Sequence, residues 1–184
     1  MNPVSLRHRL QANESAWCLR ANALCDRRLP LRFFAIVSRL GDGVFWYALI
    51  LGLSAFGGAA GRAAGLHLIV VGAISLALYK ALKRWTRRPR PCAADLRIRA
   101  RVAPLDEFSF PSGHTLHAVA FTIVALAYMP ALAWLLIPFA ASVAASRVVL
   151  GLHYPSDVLA ATCLGSALAA GSLWVREDVV RLLV

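Results

Sequence analysis

The sequence predicts an all-α, polytopic membrane bundle of about five transmembrane helices, with a basic amphipathic segment at the membrane interface before it. Three observations predict this. Of the 184 residues, 59% are hydrophobic, above the half or so usual in a soluble domain. The apolar residues gather in runs without formal charge, 43–61, 63–79, 115–146 (His117 taken as neutral) and 158–175. The remaining charge, 20 Lys and Arg against 9 Asp and Glu for a net +11, sits in blocks between those runs. At 1.5 Å per residue, about 18–20 residues cross a hydrocarbon core of ~30 Å.

Residues 1–42 read as one or two amphipathic segments. Trp17, Leu19, Leu24, Leu29, Phe33, Phe34, Ile36 and Val37 are interleaved with Arg7, Arg9, Arg20, Arg27, Arg28, Arg32 and Arg39. The apolar stretch 29–40 is interrupted by two arginines and is too short to cross, so it is expected along an anionic bilayer surface, its arginine stems reaching for headgroups. The first forty residues lack an uninterrupted apolar core, so no cleavable signal peptide is expected. Cys18 and Cys25, seven apart, would share a helix face as packing residues; with Cys92 and Cys163 they form no metal-binding spacing.

Gly41-Asp42-Gly43 is expected to break the chain before a first span at about 43–60, with Trp46 and Tyr47 as interfacial aromatics. A small-residue turn, 57–65, carries only Arg62. The second span, about 64–82, contains His67, expected as a packing residue. Lys80 and Lys83 close it, Arg84, Arg87, Arg88 and Arg90 follow, and Pro89 and Pro91 end the helix. A loop over 92–110 is basic at Arg97, Arg99 and Arg101 and acidic at Asp106 and Glu107.

Ser112 is then a natural N-cap, Gly113 lets backbone approach a ligand, and His114 lies in the first turn, the layout of an anion-binding helix N-terminus. As a single helix, the following run would put His114 and Arg147 about 50 Å apart, on opposite membrane faces. Met129-Pro130 offers a break, so a hairpin of two spans, about 113–129 and 131–149, is expected. The last span, about 156–175, offers Gly165, Ala169, Ala170 and Gly171 for close helix contact. The domain organisation expected is therefore 1–42 interfacial, 43–175 transmembrane core and 176–184 a short polar tail.

Tracing that path places the N-terminal segment, the 83–112 loop and the 147–156 loop on one face. Lys83 with Arg90, Ser112-Gly113-His114, and Arg147 with His153 and Asp157 then converge. Basic charge beside spans favours anionic lipid or a phosphorylated substrate over nucleic acid. Arg147 has a donor fork suited to phosphate, His153 suits nucleophilic or acid–base work, and Asp157 could hold its ring in one tautomer. His117 has no carboxylate or cysteine at a ligand spacing, so a pocket-lining role is expected rather than a metal site.

Lys83, six residues, Arg90-Pro91; Pro111-Ser112-Gly113-His114; and Ser146-Arg147, five residues, His153, three residues, Asp157: together these resemble the three-part signature of the type-2 phosphatidic-acid phosphatase superfamily, which includes membrane lipid phosphate phosphatases and shares its core with vanadium haloperoxidases. The resemblance covers about 83–157. It implies that Lys83, Arg90, Arg147, Ser112 and Gly113 cradle the phosphoryl oxygens, and that His153 attacks phosphorus to give a phosphohistidine. Asp157 would accept the other ring proton of His153, and His114 would protonate the leaving oxygen and then activate water. No metal and no cofactor are implied.

The resemblance further implies a lipid substrate recognised by its phosphate and by a tail entering between spans: phosphatidylglycerophosphate, phosphatidate or a polyprenyl (undecaprenyl) phosphate or diphosphate. Many members begin with an additional span, whose place the basic segment takes here. Seven arginines before residue 43, against Arg62, Arg176 and Arg181 on the other face, then predict a cytoplasmic active site, in the inner membrane if the source is bacterial. Lipid phosphotransfer with the same histidine, vanadate-dependent halide oxidation, and a non-enzymatic lipid-binding or transport role are the alternatives.

Overall fold

The computed structural model describes residues 3–176, so most of the tail expected over 176–184, Arg181 included, lies outside the described residues. Helix α1 (Pro3–Ala23) ends in a 3₁₀ turn, followed by α2 (Arg28–Arg39), α3 (Phe45–Phe56), α4 (Gly58–Thr86) and the short α5 (Pro91–Ala94). After a long loop come α6 (Gly113–Tyr128), α7 (Ala133–Val149) and α8 (Pro155–Trp174). Among the described residues the only β pairing is an isolated bridge, Pro89 to Phe108.

The expected hairpin is present. Met129 leaves the helical region, Pro130 opens a 3₁₀ turn, and α7 returns to the face from which α6 started. The starts of α6 and α8, on either side of this hairpin, are locally encoded. Ser112 caps α6 by accepting from Thr115 N, and Pro155 starts α8 with Asp157 accepting from Tyr154 N. Helix α4 closes on Arg87 in the left-handed region, two residues before Pro89.

Three expectations about the first half need correction. Trp46, expected as an interfacial aromatic, is buried in the core, while Tyr47 faces outward. Gly41-Asp42-Gly43 does not break the chain: a π-helical turn over 40–44 joins α2 to α3, kinked where Gly43 has φ 138°. The glycines over 57–65 do not form a long turn either. Only Gly57 and Gly58 turn the chain, and α4 begins at once. The glycines serve a crossing: a Cβ on Gly61 would lie 2.1 Å from Leu53 O, and one on Gly65 2.2 Å from Ser54 Oγ. Of the two N-terminal helices, only α2 is strongly one-sided.

Helix α6 is central, packed by α4, α7 and α8. Leu116, Ala118, Ala120 and Val124 are fully buried, and Trp46 of α3 meets Phe121 edge-on at 5.3 Å. On α8 only half of the expected small-residue face is used. Gly165 sits where a Cβ would lie 2.8 Å from Leu116 O, and Ala169 is buried, but Ala170 is exposed and Gly171 faces open space. An exposed apolar stripe, Leu29, Phe33, Ile36, Leu40, Val44, Tyr47 and Leu51, runs down α2 and α3 across the kink at helical spacing. Such a stripe suits lipid. Four helical stretches are long and apolar enough to cross a membrane, and α6 is a shorter apolar helix among them.

Helix lengths set the depth of the site. Asp42 lies 14 residues from the end of α3, and Gly113 lies 15 residues from the end of α6. Both are therefore about 21–22 Å from the opposite face. Helix α2 and the last turns of α4 rise past that level and wall it.

Candidate active site

The three sequence clusters meet around one cavity of about 800 Å³. Lys83 comes from the last turn of α4 and Arg90 from the loop before α5. Gly113 and His114 open α6, Arg147 ends α7, and His153 lies on the loop between α7 and α8; all six line the cavity. Ser112 and Asp157 stand one layer behind. Ser112 Oγ is occupied capping α6, accepting from Thr115 N at 3.4 Å and Thr115 Oγ1 at 3.0 Å, and Ser112 N donates to Asp157 O at 3.3 Å.

His153 is 1% exposed. Its Nε2 lies 3.2 Å from Arg90 Nη1, and its Nδ1 lies 3.6 Å from Asp157 Oδ2, beyond hydrogen-bonding distance. These neighbours select a tautomer. A guanidinium N–H needs a lone pair at Nε2, and a carboxylate favours the proton at Nδ1. Burial, then the positive charges of Arg147, Arg90 and Lys83, hold the imidazole well below its ordinary pKa. His153 is uncharged at neutral pH, with its Nε2 lone pair turned toward the cations.

The cations are buried too, and two carboxylates not anticipated as site residues compensate them. Asp106 accepts from Lys83 Nζ at 2.7 and 2.9 Å and from Arg90 Nη2 at 2.7 Å. Burial alone would raise the Asp106 pKa, but the hydrogen bond and charge of Lys83, with the charge of Arg90, hold it below the ordinary carboxylate range. Asp42, in the π-helical turn, pairs with His114 Nε2. Arg90 is further fixed by Leu152 O and Asp106 O, at 2.8 and 2.9 Å.

Arg147 differs from the others. It is 2% exposed, donates to Ser38 Oγ of α2, leaves Nε without a partner, and makes no ion pair among the described residues. A buried guanidinium so placed is costly unless an anion joins it. The cavity beside it is where an anion would sit.

Behind His153, Asp157 Oδ2 accepts from Tyr154 N at 2.9 Å and Oδ1 from Arg88 Nη1 at 2.7 Å. Arg88, Asp42, Asp106 and Ser38 are the participants that sequence reasoning missed. The usable signal was scarcity: with only 9 acidic residues in the chain, a carboxylate inside Gly-Asp-Gly or six residues before Ser112 carries weight. His117 lines the cavity as expected, its ring nitrogens 3.1 and 3.2 Å from Gly113 O and Gly72 O. His67 packs at a distance from the site, 3.1 Å from Tyr128 Oη. Cys18 and Cys25 both face carbonyls of the 149–153 segment.

Away from the charges the cavity becomes apolar, bounded by Trp46, Ile50 and Leu51 of α3 and Leu68, Ile69 and Leu76 of α4. Leu51 and Ile69 also face outward, so the cavity opens sideways between α3 and α4.

The family model described as the PAP2 superfamily matches residues 64–181. Phosphatidylglycerophosphatase B of Escherichia coli K12 is 33% identical over 81 residues; the match takes in 39% of this chain and spans 30% of that protein's length. The undecaprenyl-diphosphatase BcrC of Bacillus subtilis is 31% identical over 137 residues, 73% of this chain and 69% of that one. The crystal structure of a transmembrane PAP2-type phosphatidylglycerolphosphate phosphatase from Bacillus subtilis superposes with a TM-score of 0.71 at 26% identity, covering 92% of this chain and 87% of the other.

Proposed function

This chain belongs to the PAP2 superfamily, and from that premise we propose that it is an integral-membrane lipid phosphatase that hydrolyses a phosphomonoester or diphosphate through a phosphohistidine. The observation that carries the reading is Arg147, a buried guanidinium without a carboxylate partner among the described residues, sharing one cavity with Lys83, Arg90 and an uncharged His153.

In this mechanism the phosphoryl group displaces Asp106 from part of its contact with Lys83 and Arg90 and is met by Arg147 and the N–H groups opening α6. Phosphoryl transfer spreads charge over three equatorial oxygens, so fixed cations and preorganised donors supply most of the stabilisation. His153 Nε2 attacks phosphorus in line as the bond to the lipid oxygen breaks, and His114 gives that oxygen its proton. Asp157 balances the charge that the imidazole gains. Water then attacks phosphorus as the bond to His153 Nε2 breaks, its proton passes to His114, and phosphate leaves with His153 restored. Every step is taken by protein side chains, so the activity is independent of metal.

The tail lies in the apolar arm of the cavity between α3 and α4, which suits phosphatidylglycerophosphate, phosphatidate or a polyprenyl phosphate or diphosphate. The named relatives divide between the first and the last of these. The site opens on the cytoplasmic face, α1 lies along that surface while α2 continues the α3 span past the site, and in a bacterium the membrane is the inner one. The arginine-rich first 42 residues support this placement.

The test is phosphate release by the purified protein in detergent, from a panel of short-chain phosphatidate, phosphatidylglycerophosphate and polyprenyl diphosphate in excess EDTA. Release from at least one lipid is expected. Release from none, or only with an added divalent metal, contradicts the proposal.

A further inference from the structure

Arg88 belongs to none of the residues assigned above to phosphate or to the reacting histidines, yet it is the most heavily engaged side chain beside them. It leaves the chain just after α4, immediately before Pro89. Its Nη1 donates to Asp157 Oδ1 and to Ser156 Oγ, each at 2.7 Å, and its Nη2 donates to Glu14 Oε2 at 2.6 Å. The guanidinium lies 4.1 Å from the centre of the Tyr154 ring. Glu14, on α1, uses its second oxygen to accept from Ser156 N at 3.0 Å. One cation therefore bridges an N-terminal carboxylate and the fully buried carboxylate behind His153.

We propose that Arg88 is a positioning residue that holds Asp157 against His153 Nδ1, and that Glu14 of the N-terminal helix orients Arg88. The proposal rests on the phosphatase reading for its kinetic consequence, but its geometry stands apart from it. Asp157 has three other supports near this point, Tyr154 N on one oxygen, the Ser109 hydroxyl and the α8 backbone itself. None of them brings a positive charge to Oδ1. Without Arg88 the carboxylate can rotate about its last bond and carry its charge away from His153 Nδ1, which it faces at 3.6 Å, too far for a hydrogen bond. The ring then loses the neighbour that selects its Nδ1–H tautomer, and Nε2 presents a lone pair for only part of the time. Arg88 touches neither the cavity nor the phosphate position, so substrate binding should not depend on it.

Arg88→Ala, Arg88→Lys and Glu14→Gln separate this role from a merely structural one. Arg88→Ala should lower kcat about tenfold or more, by analogy with the partners that orient metal-ligating imidazoles, with KM unchanged. Millimolar guanidinium should restore part of the lost kcat. Arg88→Lys, which keeps the charge but not the fork, should fall between wild type and Arg88→Ala, and Glu14→Gln should lower kcat less than either. If Arg88→Ala does not fold, the Lys and Gln variants carry the test by themselves.

Ring ¹⁵N shifts of His153 give a second readout that is independent of turnover. Wild type should show the Nδ1–H tautomer and the variants a mixture. An unchanged tautomer and kcat in folded Arg88 and Glu14 variants, or a loss confined to KM, overturns the proposal. A wild-type protein that hydrolyses no lipid phosphate while its Arg88 variants still scramble the His153 tautomer overturns the phosphatase reading alone.

Discussion

His153 owes its proposed role to what surrounds it rather than to its own chemistry. Burial and three nearby cations keep the ring unprotonated well below its ordinary pKa. An imidazole depressed in this way stays a competent nucleophile as pH falls through about 6.5 and is lost only further down. The free-enzyme acid limb of kcat/KM, separated from the substrate's own phosphate ionisation, should therefore have its midpoint well under that value, and a limb at or above it would contradict the environment described. The six cavity-lining residues were legible because each lies in a short motif whose spacing survives in the linear chain. Their counter-charges were not. Asp42 meets His114 across 72 residues, and Arg88 meets Asp157 across 69; such pairings exist only once the α2–α3 turn has met α6 and the end of α4 has met α8.

At the scale of elements, the tightest contact is the crossing of α3 and α4. A Cβ on Gly61 would stand 2.1 Å from Leu53 O, and backbone cannot yield as a flexible side chain can. Gly61→Ala should lower stability by about 1–3 kcal/mol, seen as a lower melting temperature in detergent. Gly171→Ala, which meets nothing within 4 Å and lies inside α8, should leave stability unchanged or raise it by up to about 1 kcal/mol. Equal melting temperatures would mean that the crossing is looser than described. The α6–α7–α8 half was readable because Ser112, Pro130 and Pro155 punctuate it. The first half misled because glycine signals two things: Gly57 and Gly58 turn the chain, whereas Gly61 and Gly65 remain helical and let two backbones approach. Composition does not separate these cases; the identity of the facing atom does.

At the scale of the molecule, charge and hydropathy are arranged along one axis. Helices α6 and α7 are short, and their ends place His114 and Arg147 below the rim formed by α2 and α4. The site is therefore sunk at a boundary, cationic above and apolar to the side. A headgroup phosphate can reach the cations while its tail stays in the opening between α3 and α4. That all-helical plan follows from apolar runs and basic blocks, and the similarity to the Bacillus subtilis structure extends over 92% of the chain.

The central claim is that this arrangement makes His153 a transient phosphoryl carrier. The most direct measurement is acid-free quenching of the protein during turnover of a lipid carrying a labelled phosphoryl group, followed by mapping of the bound label. Label should appear on His153, stable in alkali and labile in acid, and should be absent from His153→Ala. Label that persists in His153→Ala, or turnover with no labelled protein at any quench time in wild type, would contradict the account.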